Sequence, residues 1–440
     1  MTQSPKVLPD PQTPAIKKLA HRQQSAGWFK RLGPGLVTGA ADDDPSGIAT
    51  YSQIGAQFGY GLAWTLPYSF PLMAVIQEIS ARIGSVTGRG LAQNLRHHYS
   101  RPLLYAIVTL LLVANVINLG ADLGAMGAAL ALMMGGPVLV YAIAFGVLCI
   151  ILEVFISYWK YAALLKWTTL CLFAYVGVVF TVHLSWSEAV RGTLIPAFVF
   201  DREHAMALVA VLGTTISPYL FFWQAGQEVE EQHRRHVKPL CVTPRHAGRE
   251  LARIRFDTYV GMGFSNLVAL FIVFATAASL HVAGVMTIET SAQAAEALRP
   301  LAGEFAFALF SLGIIGTGLL AVPVLAGSAA YAVSELFDWT EGLDRQWKEA
   351  KAFYGVIAAA TLGGAMLNFT SLDPMKALYW SAVVNGVLAA PLMGVMMIMG
   401  KNEDLMGRFT LSRPMYLMGW LATFVMAGAS LVFGWLFLID

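Results

Sequence analysis

Polar and charged positions are gathered into short clusters along the chain, and long apolar runs separate them. Runs of roughly 18 or more apolar residues are long enough to cross a bilayer as helices. About eleven occur, at 31–58, 61–81, 103–132, 137–157, 161–182, 205–227, 258–281, 304–333, 352–371, 377–399 and 416–438. The pattern predicts an all-α polytopic membrane protein. It has a polar N-terminal arm (1–30), a core of ten helices (31–400), and a final segment (401–440) with an inner loop and the eleventh helix. Composition agrees, with 57% of the 440 residues hydrophobic and 13% charged. Residues 1–25 lack an apolar stretch ahead of a small-residue cleavage site, so the first run is expected to direct insertion itself.

Charge adds an orientation. The net charge of +2 says little, but its distribution is lopsided. With the N-terminus inside, about 24 Lys and Arg residues fall on inner segments and about 4 on outer ones (Arg191, Arg202, Arg299, Lys376), with Lys166 inside a run, as the positive-inside rule demands. The expected topology is N-terminus cytoplasmic and C-terminus outside, in a bacterial-type inner or plasma membrane. The loop "EEQHRRHVKPLCVTPRHAGRELARIRFD" carries seven basic residues. This is what an inside loop looks like, and no nucleic-acid partner is expected beside the lipid bilayer. Cys149, Cys171 and Cys241 have neither metal spacing nor a redox pattern.

Two runs are interrupted. In the first, "GAADDDPSGIATY" places Asp42, Asp43 and Asp44 directly before Pro45. Proline removes a backbone donor and clashes with the carbonyl four residues earlier, here that of Ala41. Each broken backbone group in lipid costs several kcal/mol unless it is buried in protein or lines a cavity, and an Asp at mid-bilayer adds roughly 2.5–3.5 kcal/mol. In the sixth run, "LGTTISPYLFFWQAG" places Pro218 mid-span behind Thr214, Thr215 and Ser217. Two broken helices five spans apart point to an inverted-repeat transporter whose substrate binds between them.

These residues carry a resemblance. "LGPGLVTGAADDDPSGIATYSQIGAQFGYGLAW", followed by "ARIGSVTGRGLAQ" and by "GADLGA" in the third run, is similar to the NRAMP family of divalent-metal transporters. The resemblance implies a LeuT-like fold of 5+5 inverted repeats, working by alternating access, with metal held between broken helices 1 and 6. It also exposes departures. The family's Asp-Pro-Gly-Asn is Asp44, Pro45, Ser46, Gly47 here, and Met-Pro-His is Ser217, Pro218, Tyr219. A further family His falls on Gln224, and Asp-Leu-Ala-Glu survives as Asp122, Leu123, Gly124, Ala125. This set resembles the NRAMP-related magnesium transporters, which implies Mg2+ uptake, with Mn2+ also accepted, uncoupled from protons. The alternative is a proton-coupled Mn2+ or Fe2+ importer of the main NRAMP type.

The chemistry of the substitutions points the same way. A thioether selects softer metals, whereas carboxylate, carbonyl and water suit Mg2+ and Mn2+. Mg2+ also keeps several waters, so Gly47 and Ser217 are expected to leave a roomier, all-oxygen site. The expected metal ligands are Asp44, the carbonyls of Ala41 and Thr214, and Ser217. Asp43, Gly47, Tyr219, Gln224 and Asp122 are candidates for the surroundings or the pathway. Asp44 can equally cap the half-helix that starts at Pro45, and one of Asp42 and Asp43 can pair with a cation elsewhere. Asn118 and Asn385 are weaker candidates, as buried Asn usually joins helices. Glu78 is expected to pair with Arg82 at four-residue spacing. His233 and His236 in "HRRH" are read as loop residues, and Trp64, Trp186, Trp339 and Trp420 as interfacial anchors. No catalytic residue and no cofactor is expected; the metal is cargo. An intramembrane aspartyl protease would need two aspartates around one water, and separation of Asp44 from Asp122 would argue against it.

Overall fold

A computed structural model describes residues 34–156, 171–197, 199–370 and 373–439. The expected arm 1–30 and the start of the fifth run, including Lys166, lie outside the described residues. The regular secondary structure described is helical throughout, and each of the apolar runs contains a helix. The principal helices are α1 (Pro34–Asp42), α2 (Pro45–Phe58), α3 (Thr65–Thr87), α4 (Arg101–Met134), α5 (Val138–Phe155) and α6 (Phe173–Thr181). They continue with α7 (Arg202–Thr215), α8 (Pro218–Arg234), α9 (Ala247–Thr276), α10 (Ala306–Phe337), α11 (Lys351–Leu367), α12 (Pro374–Lys401) and α13 (Arg413–Ile439). Among the described residues, 7 helical segments are long and apolar enough to cross a membrane, counting α7–α8 as one.

Both expected breaks are present. Helix α1 stops at Asp42, and Asp44 is extended (φ −71°, ψ 171°) with Pro45 as the first residue of α2. Helix α7 stops at Thr215, and Ser217 is extended (φ −74°, ψ 126°) ahead of Pro218, the first residue of α8. In both places proline begins the second half-helix, where its missing N–H costs nothing.

Small residues bring the broken helices against their neighbours. A Cβ on Gly39 would sit 2.3 Å from the backbone of Gly261, and one on Gly213 would sit 2.0 Å from the Ala382 carbonyl. The α1–α9 and α7–α12 pairs therefore touch backbone to backbone, as membrane helices do where glycine allows it. The Gly35 amide also donates to Asp257 Oδ2 on α9 (2.8 Å).

The distribution of side chains suits lipid. Leu431 and Leu438 on α13 are 74% and 84% exposed, while Asp42, Asp43, Asp44 and Asp122 are all at most 2% exposed. Glu78 pairs with Arg82 at 2.7 Å, as expected. Trp186 and Trp339 are exposed, but Trp64 is buried. It precedes the first residue of α3 and packs edge-on against Tyr68, so it is covered by protein where an interfacial anchor is expected to be open.

Candidate metal site at the two helix breaks

Asp44 is held by four donors. Its Oδ1 accepts from the Gly47 amide and the Ser46 hydroxyl, each at 2.7 Å. It is therefore a helix cap in fact, satisfying one of the amides that any helix start leaves free. Its Oδ2 faces the opposite way, 3.2 Å from the Tyr219 hydroxyl and 3.3 Å from Asn118 Nδ2. Asn385 on α12 in turn donates to Asn118 Oδ1 at 3.4 Å. Amides from α12 and α4 thus run in sequence to the first break.

The carbonyls released by unwinding are close at hand. That of Ala41 lies 3.2 Å from the same Tyr219 hydroxyl. Thr214 accepts from Ser217 Oγ at 2.9 Å, and Ser217 Oγ also lies 3.1 Å from the Gly213 carbonyl. The Ser217 hydroxyl is turned back on the end of α7.

Asp42 and Asp43 share one partner: Ser265 Oγ on α9 lies 2.8 Å from Asp42 Oδ2 and 3.0 Å from Asp43 Oδ1. Among the described residues, no Lys or Arg forms a salt bridge with any of the three acids. The expected cation partner for Asp42 or Asp43 is thus replaced by a hydroxyl. Asp122, one helical turn beyond Asn118, is close enough to Asp44 and to the Ser46 amide to interact electrostatically.

Gly47 is tighter than expected. A Cβ there would lie 3.2 Å from Thr214 Oγ1 and 3.4 Å from the Tyr51 ring. Thr214 of α7 and Tyr51 stand where an Asn side chain would go, so this position is not roomier. Gln224 is fully buried and lies apart from the break, bonded to Thr38 Oγ1 of α1 and, at 3.4 Å, to Glu228.

Sequence reasoning missed Ser265 and underrated Asn118. Ser265 has no local signal, because it faces the acids from 223 residues away. Asn118 had one: it lies four residues before Asp122, hence on the same helix face. No three His, Cys, Asp or Glu side chains converge in metal-binding geometry among the described residues. What the breaks gather is oxygen from the carboxyl groups of Asp42, Asp43 and Asp44, from unwound carbonyls, and from hydroxyls and side-chain amides.

Comparison with known proteins places the chain as a whole. Over 418 residues the chain is 26% identical to a divalent metal cation transporter, MntH, of Klebsiella pneumoniae, covering 92% of this chain and 93% of that one. The fold matches a manganese transporter of Eremococcus coleocola with a TM-score of 0.73, at 18% identity, over 93% of this chain and 87% of that one. It also matches Mhp1, a nucleobase-cation-symport-1 family transporter, with a TM-score of 0.57 at 15% identity, over 92% of each chain. The architecture is therefore that of the LeuT-like transporters. The family model "Natural resistance-associated macrophage protein-like" matches residues 35–436, and the chain belongs to this family, Nramp.

Proposed function

We propose that the protein is a divalent metal cation transporter that carries Mg2+, and Mn2+ with it, inward by alternating access and without proton coupling. The relatives named as divalent metal cation transporters support the general activity. The observation that carries the choice of ion is the donor set at the breaks. Ser217, Tyr219 and Gln224 stand where the main family has a thioether and two imidazoles, so the side chains at the breaks offer a cation oxygen ligands and neither thioether nor imidazole. Hard ligands of this kind suit Mg2+ and Mn2+.

In this reading Asp44 provides the charge, and the Ala41 and Thr214 carbonyls provide neutral oxygen. Ser217 supports the Thr214 carbonyl, while Asp42, Asp43 and Asp122 add negative potential that draws dications. The basic segments face the cytoplasm, which puts the C-terminus outside. The burial of Asp42, Asp43, Asp44 and Asp122 supports reading this as an occluded state. On the proposed outer side, Gln57 of α2 bonds Glu203 of α7 at 2.8 Å. On the inner side Thr38 of α1 bonds Gln224 of α8. Alternating access requires these contacts to open one set at a time.

A second reading, a proton-coupled Mn2+ importer, is favoured by the Eremococcus coleocola neighbour, described as a manganese transporter. Uptake into proteoliposomes separates the two. The magnesium reading expects Mn2+ uptake to be suppressed by excess Mg2+ with no change of internal pH; Mg2+-insensitive uptake with internal acidification would reject it.

A further inference from the structure

A polar seam leaves the first break toward the basic loop. Thr38 and Asp42 lie four residues apart on α1, and Gln224 and Glu228 lie four apart on α8, so each pair shares a helix face. Thr38 bonds Gln224, and Gln224 Nε2 lies 3.4 Å from Glu228 Oε1. Glu228 is fully buried. Its other oxygen is bound by the Arg253 guanidinium of α9 at 2.5 Å, and Arg253 is held by Glu250 at 2.8 Å. Arg235 also pairs with Glu250, at 2.8 Å. Asp257 and Glu231 add further negative potential around Glu228.

We propose that Glu228 is an exit station for the divalent cation, and that Arg253 occupies it as a tethered stand-in cation while the inner side is closed. This rests on the transport reading above. The mechanics follow from the packing. Arg253 belongs to α9, which touches α1 backbone to backbone at Gly39 and Gly261, whereas Glu228 belongs to α8. A movement that parts α1 from α8 breaks the Thr38–Gln224 bond and, through α9, pulls Arg253 away from Glu228. Glu228 is then left as a buried carboxylate without its cation at the moment the ion can leave Asp44. A dication replaces the guanidinium there, and Arg253 replaces the dication when the inner side closes, so Glu228 is compensated at both ends of the step. Uncompensated buried charge is what proteins avoid.

The test uses the full-length protein, reading Mn2+ equilibrium binding in detergent and Mn2+ uptake in proteoliposomes. Glu228→Gln alone leaves Arg253 partly unpaired and can harm folding. The double variant Glu228→Gln/Arg253→Gln removes both charges and keeps the pair neutral. The station predicts that the double variant binds Mn2+ as the parent does but takes it up at least about tenfold more slowly. It also predicts that Glu228→Asp, which keeps the carboxylate, restores uptake to within about threefold. Parental uptake by the double variant would make the pair merely structural and overturn the station, as would uptake in Glu228→Asp no better than in the double variant. If the parent itself neither binds nor carries Mn2+, the transport reading falls first and the station with it, an outcome distinct from the other two.

Discussion

Replacing Asp44 by asparagine separates its two duties. The Asp44 Oδ1 contacts to Gly47 N and Ser46 Oγ need only an acceptor, and an amide oxygen is one. Asparagine is also as good a cap as aspartate. Alanine would remove the cap, worth about 1 kcal/mol, and would strand the buried donors of Asn118 and Tyr219 at about 1–3 kcal/mol each. Asp44→Ala therefore loses folding and binding together, whereas Asp44→Asn keeps the cap and loses only the Oδ2 side, where its NH2 faces the Asn118 amide, at about 1–3 kcal/mol. The charge is another matter. A dication about 4 Å from a carboxylate at an effective dielectric of about 20 gains roughly 8 kcal/mol before desolvation. If even a quarter survives, about 2 kcal/mol, the dissociation constant rises about 30-fold on its loss. Mn2+ binding by calorimetry, with thermal unfolding in the same detergent, measures both. Asp44→Asn binding within threefold of the parent would show that the carboxylate is a cap alone.

Ser217→Met should move selectivity toward softer ions, raising the Cd2+ to Mg2+ preference at least about tenfold in competition uptake; an unchanged ratio would remove position 217 from the site. Tyr219→Phe removes a hydroxyl that competes for both Ala41 O and Asp44 Oδ2. It should cost about 1 kcal/mol of stability, yet leave Mn2+ affinity equal or higher, and a large loss of affinity would make the hydroxyl a ligand instead. Gly39→Ala forces a methyl to 2.3 Å from the Gly261 backbone. It should lower stability by about 1–3 kcal/mol or more through overpacking, seen as a fall in the melting temperature, while Gly248→Ala, whose Cβ meets nothing within 4 Å, serves as the neutral control.

Both helix breaks are legible in the sequence, because proline and glycine act locally: the residues that stop α1 and α7 are the residues beside the stop. The pairing of Glu78 with Arg82 is legible for the same reason, the two being one helical turn apart. What escapes is what tertiary packing decides. Ser265 answers to Asp42 and Asp43 only because Gly39 and Gly261 bring α1 and α9 together. The Gly47 position promises space by residue size, but Thr214 arrives from another helix and takes it. Trp64 is the residue type of an anchor and stands near a span end, and protein still covers it.

The run of amides from Asn385 through Asn118 to Asp44 has a direction. Each member gives its N–H toward the first break, so the last oxygen receives and never gives. Whatever arrives at that oxygen from outside the protein is in competition with a donor already there, and the exchange replaces one electron-poor partner with another. The carboxylate need not stand bare while it waits. On the transport reading proposed above, a pocket built this way asks little reorganisation of its cargo, and its selectivity lies in how well each ion displaces an amide from a single oxygen.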